Sequence, residues 1–464
     1  MKASEKTSED SLILFVTSMK QVDSVFVLSG ITSKGRAVVH SHRKFKPGQL
    51  IEATGEIKQA DGIREMEADE VKAIESRKEM DEINDYVDSN IKVSKSQPFL
   101  PTPVIKNMSE GFDEVARLVL KAIFLHRLVI IRHHNDTDGV CAGLAMYLAA
   151  GSAKNIKIIT NKYPGYRMVD AQQDIHLAHQ LDAEYLKPLL VVFDIGSSIE
   201  SFGTYDYVKE AGFDVVVVDH HPPSPGMKKR VDLVVSPHFS GGGSEYTAGL
   251  LASEISQRIA KVDLHDIPFV ALVGDRSTLQ FERKDIYLRY AIALDYLVSM
   301  KDPAIDEIAR NFLDREAMET NYMLATERID VVRNTLLKKV KRKDFKNVTV
   351  FVVDTDKEFE QGHFPSRGSM ANIINDVLAF SSKRPGIVIG YGKHNINTRF
   401  NKPALEEGWS GADLINRIRE ELPNALESGG GHPGAASMRI NKGFSKIVLD
   451  QIMKEIEKES EKKK

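Results

Sequence analysis

Asp219-His220-His221 follows directly on Val215-Val216-Val217-Val218. An all-valine run of that length reads as a buried strand. A carboxylate and two imidazoles just past its end stand where open α/β sheets place their sites. Leu128-Val129-Ile130-Ile131 leads in the same way into His134-Asn135-Asp136-Thr137-Asp138-Gly139, Leu189 to Phe193 into Asp194, and Phe269 to Gly274 into Asp275. Each apolar segment reads as a strand, so four strands bring Asp and His to one sheet edge. Hard oxygen donors mixed with imidazole suit divalent metals of the Mn or Mg type, with zinc as the alternative. Residues two apart in an extended loop point to the same side, so Asp136 and Asp138 can approach one cluster. Gly139 lets the backbone turn closely into the next helix. Such ligands packed together repel unless a cation joins them. Two divalent ions about 3.5–4 Å apart would neutralise them and clamp an in-line displacement at phosphorus. A lone Asp after a strand usually caps a helix; recurrence at four segment ends is what points to metal.

The elements that must position these residues follow from the rest of the chain. At 464 residues, with 42% hydrophobic and 28% charged residues, it reads as a globular protein of two or three domains. Its apolar runs fall short of a membrane span and its first residues lack a signal-peptide core, so a cytoplasmic protein without membrane contact is expected. Cys141 is the one cysteine, which excludes an intrachain disulfide and reads as a small packed side chain. A net charge of −3 is not that of a protein coating nucleic acid, so any such contact is local.

Residues 1–80 carry five short strand candidates, Leu12–Thr17, Ser24–Ile31, Arg36–Ser41, Leu50–Ile57 and Glu65–Ala73, separated by turn signals such as Lys34-Gly35 and Pro47-Gly48. Five strands in this length suit an OB-like β-barrel, a fold that commonly binds single strands; an unrelated small barrel for protein contacts is the other reading. Val25-Phe26-Val27 reads as core, and His40, His42, Arg43, Lys44 and Lys46 as a solvated basic loop. Residues 81–110 are polar and end in Gln97-Pro98-Phe99-Leu100-Pro101-Thr102-Pro103, which reads as an extended linker. Residues 111–300 alternate strands and helices, as in a mostly parallel doubly wound sheet. Residues 301–343 read as a helical connector. Residues 344–464 read as a smaller α/β lobe with strands at Val348–Val353, Gly386–Tyr391 and Asn397–Phe400, a helix at Met370–Phe380 and a charged tail at Lys454–Lys464. His176 and His179 read as surface residues. His238 with Gly241-Gly242-Gly243-Ser244 reads as a structural loop near the site, a phosphate nest being the weaker alternative. In the second lobe, Gly429-Gly430-Gly431 would let backbone amides approach an anion, with His432 as a further donor.

This ordered set resembles the DHH phosphoesterase superfamily. The matching motifs are Asp136-Thr137-Asp138-Gly139, the lone Asp194, Asp219-His220-His221 and Gly274-Asp275, followed by Gly429-Gly430-Gly431-His432-Pro433-Gly434-Ala435-Ala436-Ser437, which is similar to the GGGH motif of the associated DHHA1 domain. The resemblance runs from about residue 110 to about 450 and is nearest to RecJ-like single-strand nucleases, particularly archaeal forms. It implies a two-metal site, with Mn²⁺ preferred and Mg²⁺ the alternative. Asp194 would bridge the ions, and Asp136, Asp138, His220 and Asp275 would complete their ligands. Asp219 would orient an imidazole, and His221 would touch the scissile phosphate or protonate the leaving oxygen. Arg399 and His432 would hold phosphates, Arg399 lying with Lys393, His394 and Asn397 in a candidate strand and loop; Ser366-Arg367-Gly368-Ser369 with His363 would help, and Arg367 reads equally as a surface ion-pair partner.

Many relatives carry a ligand His where this chain has Arg132. His134 lies two residues before Asp136 and either ligates or only lines the site; Arg132 would contact phosphate or carboxylate. The implied activity is that of an exonuclease on single-stranded DNA or RNA, of the kind used in DNA repair and replication. The alternatives are a partner or scaffold of a GINS-type replication complex, and a phosphodiesterase for oligoribonucleotides or cyclic dinucleotides.

Overall fold

The computed structural model describes residues 10–60, 63–163, 165–264, 266–301, 303–356, 364–379 and 382–463. The chain begins with β1 (Asp10–Val22), β2 (Val25–Thr32), β3 (Gly35–Ser41), β4 (Leu50–Ala60) and β5 (Ile63–Ala73). They close into a barrel in the order β1-β2-β3-β5-β4, with β3 and β5 parallel. Alternation does this: Leu12, Leu14, Val16, Leu28, Val39, Ile51, Ala53 and Met66 all turn inward. The five strands match those expected.

Only part of residues 81–110 is irregular chain, the Pro-rich stretch up to Thr102, and helices flank it on both sides. Ser76 caps α1 (Arg77–Asn90) by accepting from the Glu79 amide, and Ile83 and Val87 pack with Ile31 and Leu50 of the barrel and with Leu125. A stripe only two residues wide sits inside a charged sequence, so composition hid the helix. Pro103 opens the short α2 (Pro103–Asn107), and α3 (Ser109–Phe124) follows, leaving 91–102 as irregular chain.

The first lobe contains β6 (Val129–His134), α4 (Thr137–Ala150), β7 (Ile156–Asn161), α5 (Met168–Gln180), β8 (Leu189–Phe193), α6 (Phe202–Glu210), β9 (Asp214–Val218) and β10 (Leu233–Val235). Their sheet is parallel throughout, in the order β10-β9-β8-β6-β7. Buried side chains form one core on each face, so the sheet is doubly wound. Two helices follow, α7 (Ala248–Ile259) and α8 (Ile267–Gly274). The run Phe269–Gly274, expected as a fourth strand, is therefore helical. Periodicity cannot separate a short buried helix from a buried strand; here Pro268 in its first turn and apolar neighbours all round settle it as helix.

The helices α9 (Lys284–Lys301), α10 (Ile305–Leu313) and α11 (Arg315–Leu337) lead to the second lobe. The expected connector ends at α11, because Lys341–Asp344 is already β11 of the next sheet. There follow β12 (Thr349–Asp354), α12 (Arg367–Ile374), a π-helical turn (Asn375–Ala379), β13 (Gly386–Tyr391), β14 (Asn395–Phe400), α13 (Lys402–Glu406), α14 (Gly411–Glu421), β15 (Leu426–His432), β16 (Ala435–Ile440) and α15 (Ser445–Lys462). The sheet is mixed, ordered β11-β12-β13-β14-β16-β15. The glycine run lies in the edge strand β15, with Gly430 opposite Ser437 and Gly431 opposite Ala436. Gly431 has φ +151°, and a Cβ there would lie 2.3 Å from the Ala435 carbonyl oxygen, so no side chain fits. The charged tail is helix: Val448, Ile452 and Ile456 form an i, i+4 stripe buried on the sheet.

The barrel sits at the edge of the first-lobe sheet where the strands begin. Lys46 donates to the Tyr185 hydroxyl just before β8, and Arg36 lies over Phe124 just before β6. The candidate site is at the other ends of these strands, about 17–20 Å away for strands of this length. Among the described residues, no helix is long and apolar enough to cross a membrane.

Candidate active site

Three parallel strands and one helix end at the same place. Asp136 follows β6 and caps α4, its Oδ1 accepting from the Gly139 amide at 3.0 Å. Asp194 follows β8 in the left-handed region, φ +65°, a conformation that non-glycine residues hold at a cost and often at functional sites. Asp219, His220 and His221 follow β9, and Asp275 follows α8. Asp138 lies in the first turn of α4 and binds the first turn of α7. Its two oxygens accept from the Ala248 and Gly249 amides at 2.8 and 2.7 Å. A Cβ at Gly249 would lie 3.0 Å from Asp138 Oδ1 and 2.5 Å from Ala271, so glycine is what lets this helix end approach.

Asp194 is the hub. Its Oδ1 lies 3.2 Å from His220 Nε2 and 3.7 Å from His221 Nδ1, and its Oδ2 lies 3.7 Å from His134 Nδ1. His134 Nδ1 is also 2.7 Å from Asp136 Oδ2. Two donor groups, each with all its atoms within 4.8 Å of one another, share Asp194: one with His134 and Asp136, the other with Asp219, His220 and His221. Asp138 and Asp275 flank His220 at 3.6 and 3.8 Å. Asp219 Oδ1 accepts from His221 Nδ1 at 2.8 Å and from the His221 amide, while its Oδ2 accepts from the Ser197 amide. His220 Nδ1 donates to the Ser244 carbonyl at 2.7 Å, and His238 Nε2 donates to the His220 carbonyl at 3.0 Å. The loop holding His238 and Ser244 thus orients His220 and leaves its Nε2 facing Asp194.

The electrostatics call for a cation. Burial pulls His220 down, but its bond to Asp194 and the charges of Asp275 and Asp138 outweigh burial and hold it well above the usual range. His134 and His221 are raised in the same way, against burial, by Asp136 and Asp219. Burial raises Asp138 well above the carboxylate range, and Asp194 adds to the shift. Burial opposes the charges of Asp136 and Asp219, yet His134 and His221 hold both below that range. Protons on imidazole thus supply the positive charge that packed carboxylates demand, a place a divalent ion takes when His ligates as the neutral ring. Asp194 Oδ2 is buried without a hydrogen-bond partner. An orphaned carboxylate oxygen beside oxygen and imidazole donors fits a metal.

A cavity of about 970 Å³ separates this wall from the second lobe, where Asn397, Arg399, Gly429, Gly430, Gly431 and His432 line it. Arg399 Nε donates to Asn372 Oδ1, and its other nitrogens to the Thr398 and Gly368 carbonyls. Burial lowers Arg399 to about 10, and the charge of Arg276 adds to this. Burial lowers His432 to about 4, so the ring is neutral; the Gly434 amide donates to its Nδ1, which leaves Nε2 as the proton-bearing donor.

Other expected residues find plainer places. Arg132 is buried and touches carboxylate: its Nε and Nη2 bind the two oxygens of Asp174 at 2.8 and 2.7 Å. Arg367 lines the cavity but pairs with Asp356, which is the ion-pair reading. His394 lines the cavity, whereas Lys393 does not. His363 lies outside the described residues. His176 and His179 are exposed on α5. Sequence reasoning missed Asp295, which lines the cavity, accepts from Thr137 Oγ1 at 2.6 Å and is raised by burial to about 6. Its signal was an acid inside the apolar helix Ala291–Leu297. Asn372, Arg419 and Arg439 also line the cavity and carry no signal in the local sequence pattern.

Residues 127–268 match the DHH family, N-terminal domain. An uncharacterized protein of Methanocaldococcus jannaschii is 26% identical over 90% of this chain, which spans 63% of that relative's length. A solved DHH domain, described as a member of the s1p family of ribosomal proteins, superposes with a TM-score of 0.72 at 24% identity, covering 82% of this chain and 98% of its own. RecJ of Thermus thermophilus in complex with Mn²⁺ gives a TM-score of 0.50 at 15% identity, over 79% of this chain and 56% of its own.

Proposed function

We propose that this chain, whose residues 127–268 match the DHH family, is a metal-dependent phosphodiesterase that shortens single-stranded DNA or RNA from an end. One observation carries this reading: Asp136, Asp194, His220 and Asp275 face Arg399 and His432 across a single cavity. Acids that want divalent ions thus stand opposite cation and donor groups that suit phosphate. The manganese bound by the RecJ relative supports that choice of metal.

Asp194 would be shared between two ions, with His134 and Asp136 on one side and His220 on the other; Asp138 and Asp275 stand close enough to His220 to join them. Such ions, when bound, lower the pKa of water and neutralise phosphate charge. The chain's own residues do the rest. Asp219 fixes the His221 ring through Nδ1, so that Nε2 is the nitrogen left for the scissile phosphate or the leaving oxygen. Asn372 and the Gly368 carbonyl hold the Arg399 guanidinium, which grips phosphate, and His432 adds a neutral N–H.

The test is incubation with Mn²⁺ and end-labelled single-stranded DNA and RNA of either polarity, with chelator and Asp194→Asn as controls. Stepwise shortening lost in both controls supports the reading. Cleavage of dinucleotides but not longer strands would move it to a small-substrate phosphodiesterase. No cleavage with any divalent metal would overturn it. The barrel's position at the far edge of the sheet supports a second role, contact with a GINS-type replication partner, since that surface is clear of the cleft.

Two variants separate grip from chemistry. Asp219→Asn keeps the shape but loses the charged acceptor of His221, and turnover or Mn²⁺ affinity should fall about 10–100-fold. Arg399→Met should raise KM for the strand by about 10–100-fold, the cost of a charged hydrogen bond to phosphate, with a smaller change in kcat. Equal losses of kcat in both variants would contradict the division of labour between the lobes.

A further inference from the structure

Arg276 comes directly after Asp275, and its backbone is left-handed, φ +55°. Its guanidinium reaches the second lobe, where Nη1 and Nη2 bind the two oxygens of Asp376 at 2.7 and 2.8 Å. Asp376 belongs to the π-helical turn Asn375–Ala379, an irregularity frequent at functional sites. That turn continues α12, whose Asn372 and Gly368 hold Arg399. One unbroken chain of contacts therefore runs from the metal-side acid Asp275, through Arg276 and Asp376, to the phosphate-side Arg399. The two cations are close enough for Arg276 to pull Arg399 down. Both members of the pair are about half exposed, at 46% and 47%, so water competes for them. A bidentate pair of this kind is specific in geometry yet weak enough to open.

We propose that Arg276 and Asp376 form an interlobe clasp. It positions Asp275 and Arg399 at their working separation, opens to admit a strand and closes over it. Neither residue touches the reacting phosphate; both are positioning residues. The kinetic part of this inference rests on the phosphodiesterase reading, whereas the structural part does not.

The experiment uses the full chain with spin labels at Glu210→Cys on α6 and Glu421→Cys on α14, both exposed, while the buried Cys141 stays unlabelled. Arg276→Asn suits the left-handed backbone and removes the fork; Asp376→Asn removes the acceptor; the swap Arg276→Asp with Asp376→Arg restores a pair. Each single variant should broaden the distance distribution between the labels and lower kcat/KM about 2- to 5-fold, mainly through KM, and the swap should recover both. Added salt should widen the wild-type distribution toward that of the single variants. Unchanged distances in both single variants would overturn the clasp. Widened distances in a protein that hydrolyses no phosphodiester would support the clasp and overturn the phosphodiesterase reading instead.

Discussion

Asp194→Asn should remove metal-dependent turnover while leaving the metal-free protein as stable as before, or more so. Asn is isosteric and tolerates the left-handed backbone at φ +65°, so the substitution tests charge rather than shape. In the metal-free protein burial raises Asp138 and the charge of Asp194 adds to that shift, so removing the charge relieves the cluster. With metal the sign reverses. A ligand binding only the folded state adds about 2.7 kcal/mol at a hundred times its Kd, and this gain should shrink or vanish in the variant. Losing the carboxylate that two donor groups share forfeits several kcal/mol of transition-state stabilisation, about 10³-fold or more in rate. Thermal melts with and without Mn²⁺, beside the strand assay, read both effects. A variant that kept the full Mn²⁺-induced gain would exclude Asp194 as the shared ligand.

The largest effect on stability should come from a residue that never reaches the cleft. Arg132 is 2% exposed and Asp174 fully buried. Beyond the two-pronged pair, Arg132 donates to Asn161 Oδ1 and to the Asp170 carbonyl, and Tyr166 donates to Asp174 Oδ2 at 2.9 Å. Arg132→Leu leaves an uncompensated buried carboxylate and should cost about 3–5 kcal/mol in denaturant unfolding. Arg132→Leu combined with Asp174→Leu should recover much of that, because two apolar groups of similar volume often replace a buried pair at little cost. Turnover per folded molecule should stay near wild type in the double variant. A specific loss of strand affinity there would mean that Arg132 contacts phosphate after all.

Much of this site is legible in the residues themselves. Strands β6, β8 and β9 are short, each carries an apolar run rich in β-branched residues, and each is followed within two residues by an acid, so element and edge can both be read locally. The barrel strands are legible for the same reason: their alternation of inward and outward residues is itself the signal. Asp275 stands out by residue type but on a different element, because a short apolar run that is mostly buried carries no clear periodicity. The helix α1 and the C-terminal helix α15 were overlooked because burial depends on a few residues, Ile83 and Val87 or Ile452 and Ile456, set in charged surroundings.

What the residues alone determined is which side chains leave the ends of strands and what chemistry such donors share, since both follow from short-range pattern and residue type. What only the tertiary structure decided is how distant segments meet. Asp138 is held by the start of α7, His220 by Ser244, Arg276 by Asp376 a hundred residues on, and the barrel lies at the edge of the sheet away from the cleft. Such contacts depend on how whole elements pack together, and no local spacing encodes which of many exposed acids or amides a side chain will find.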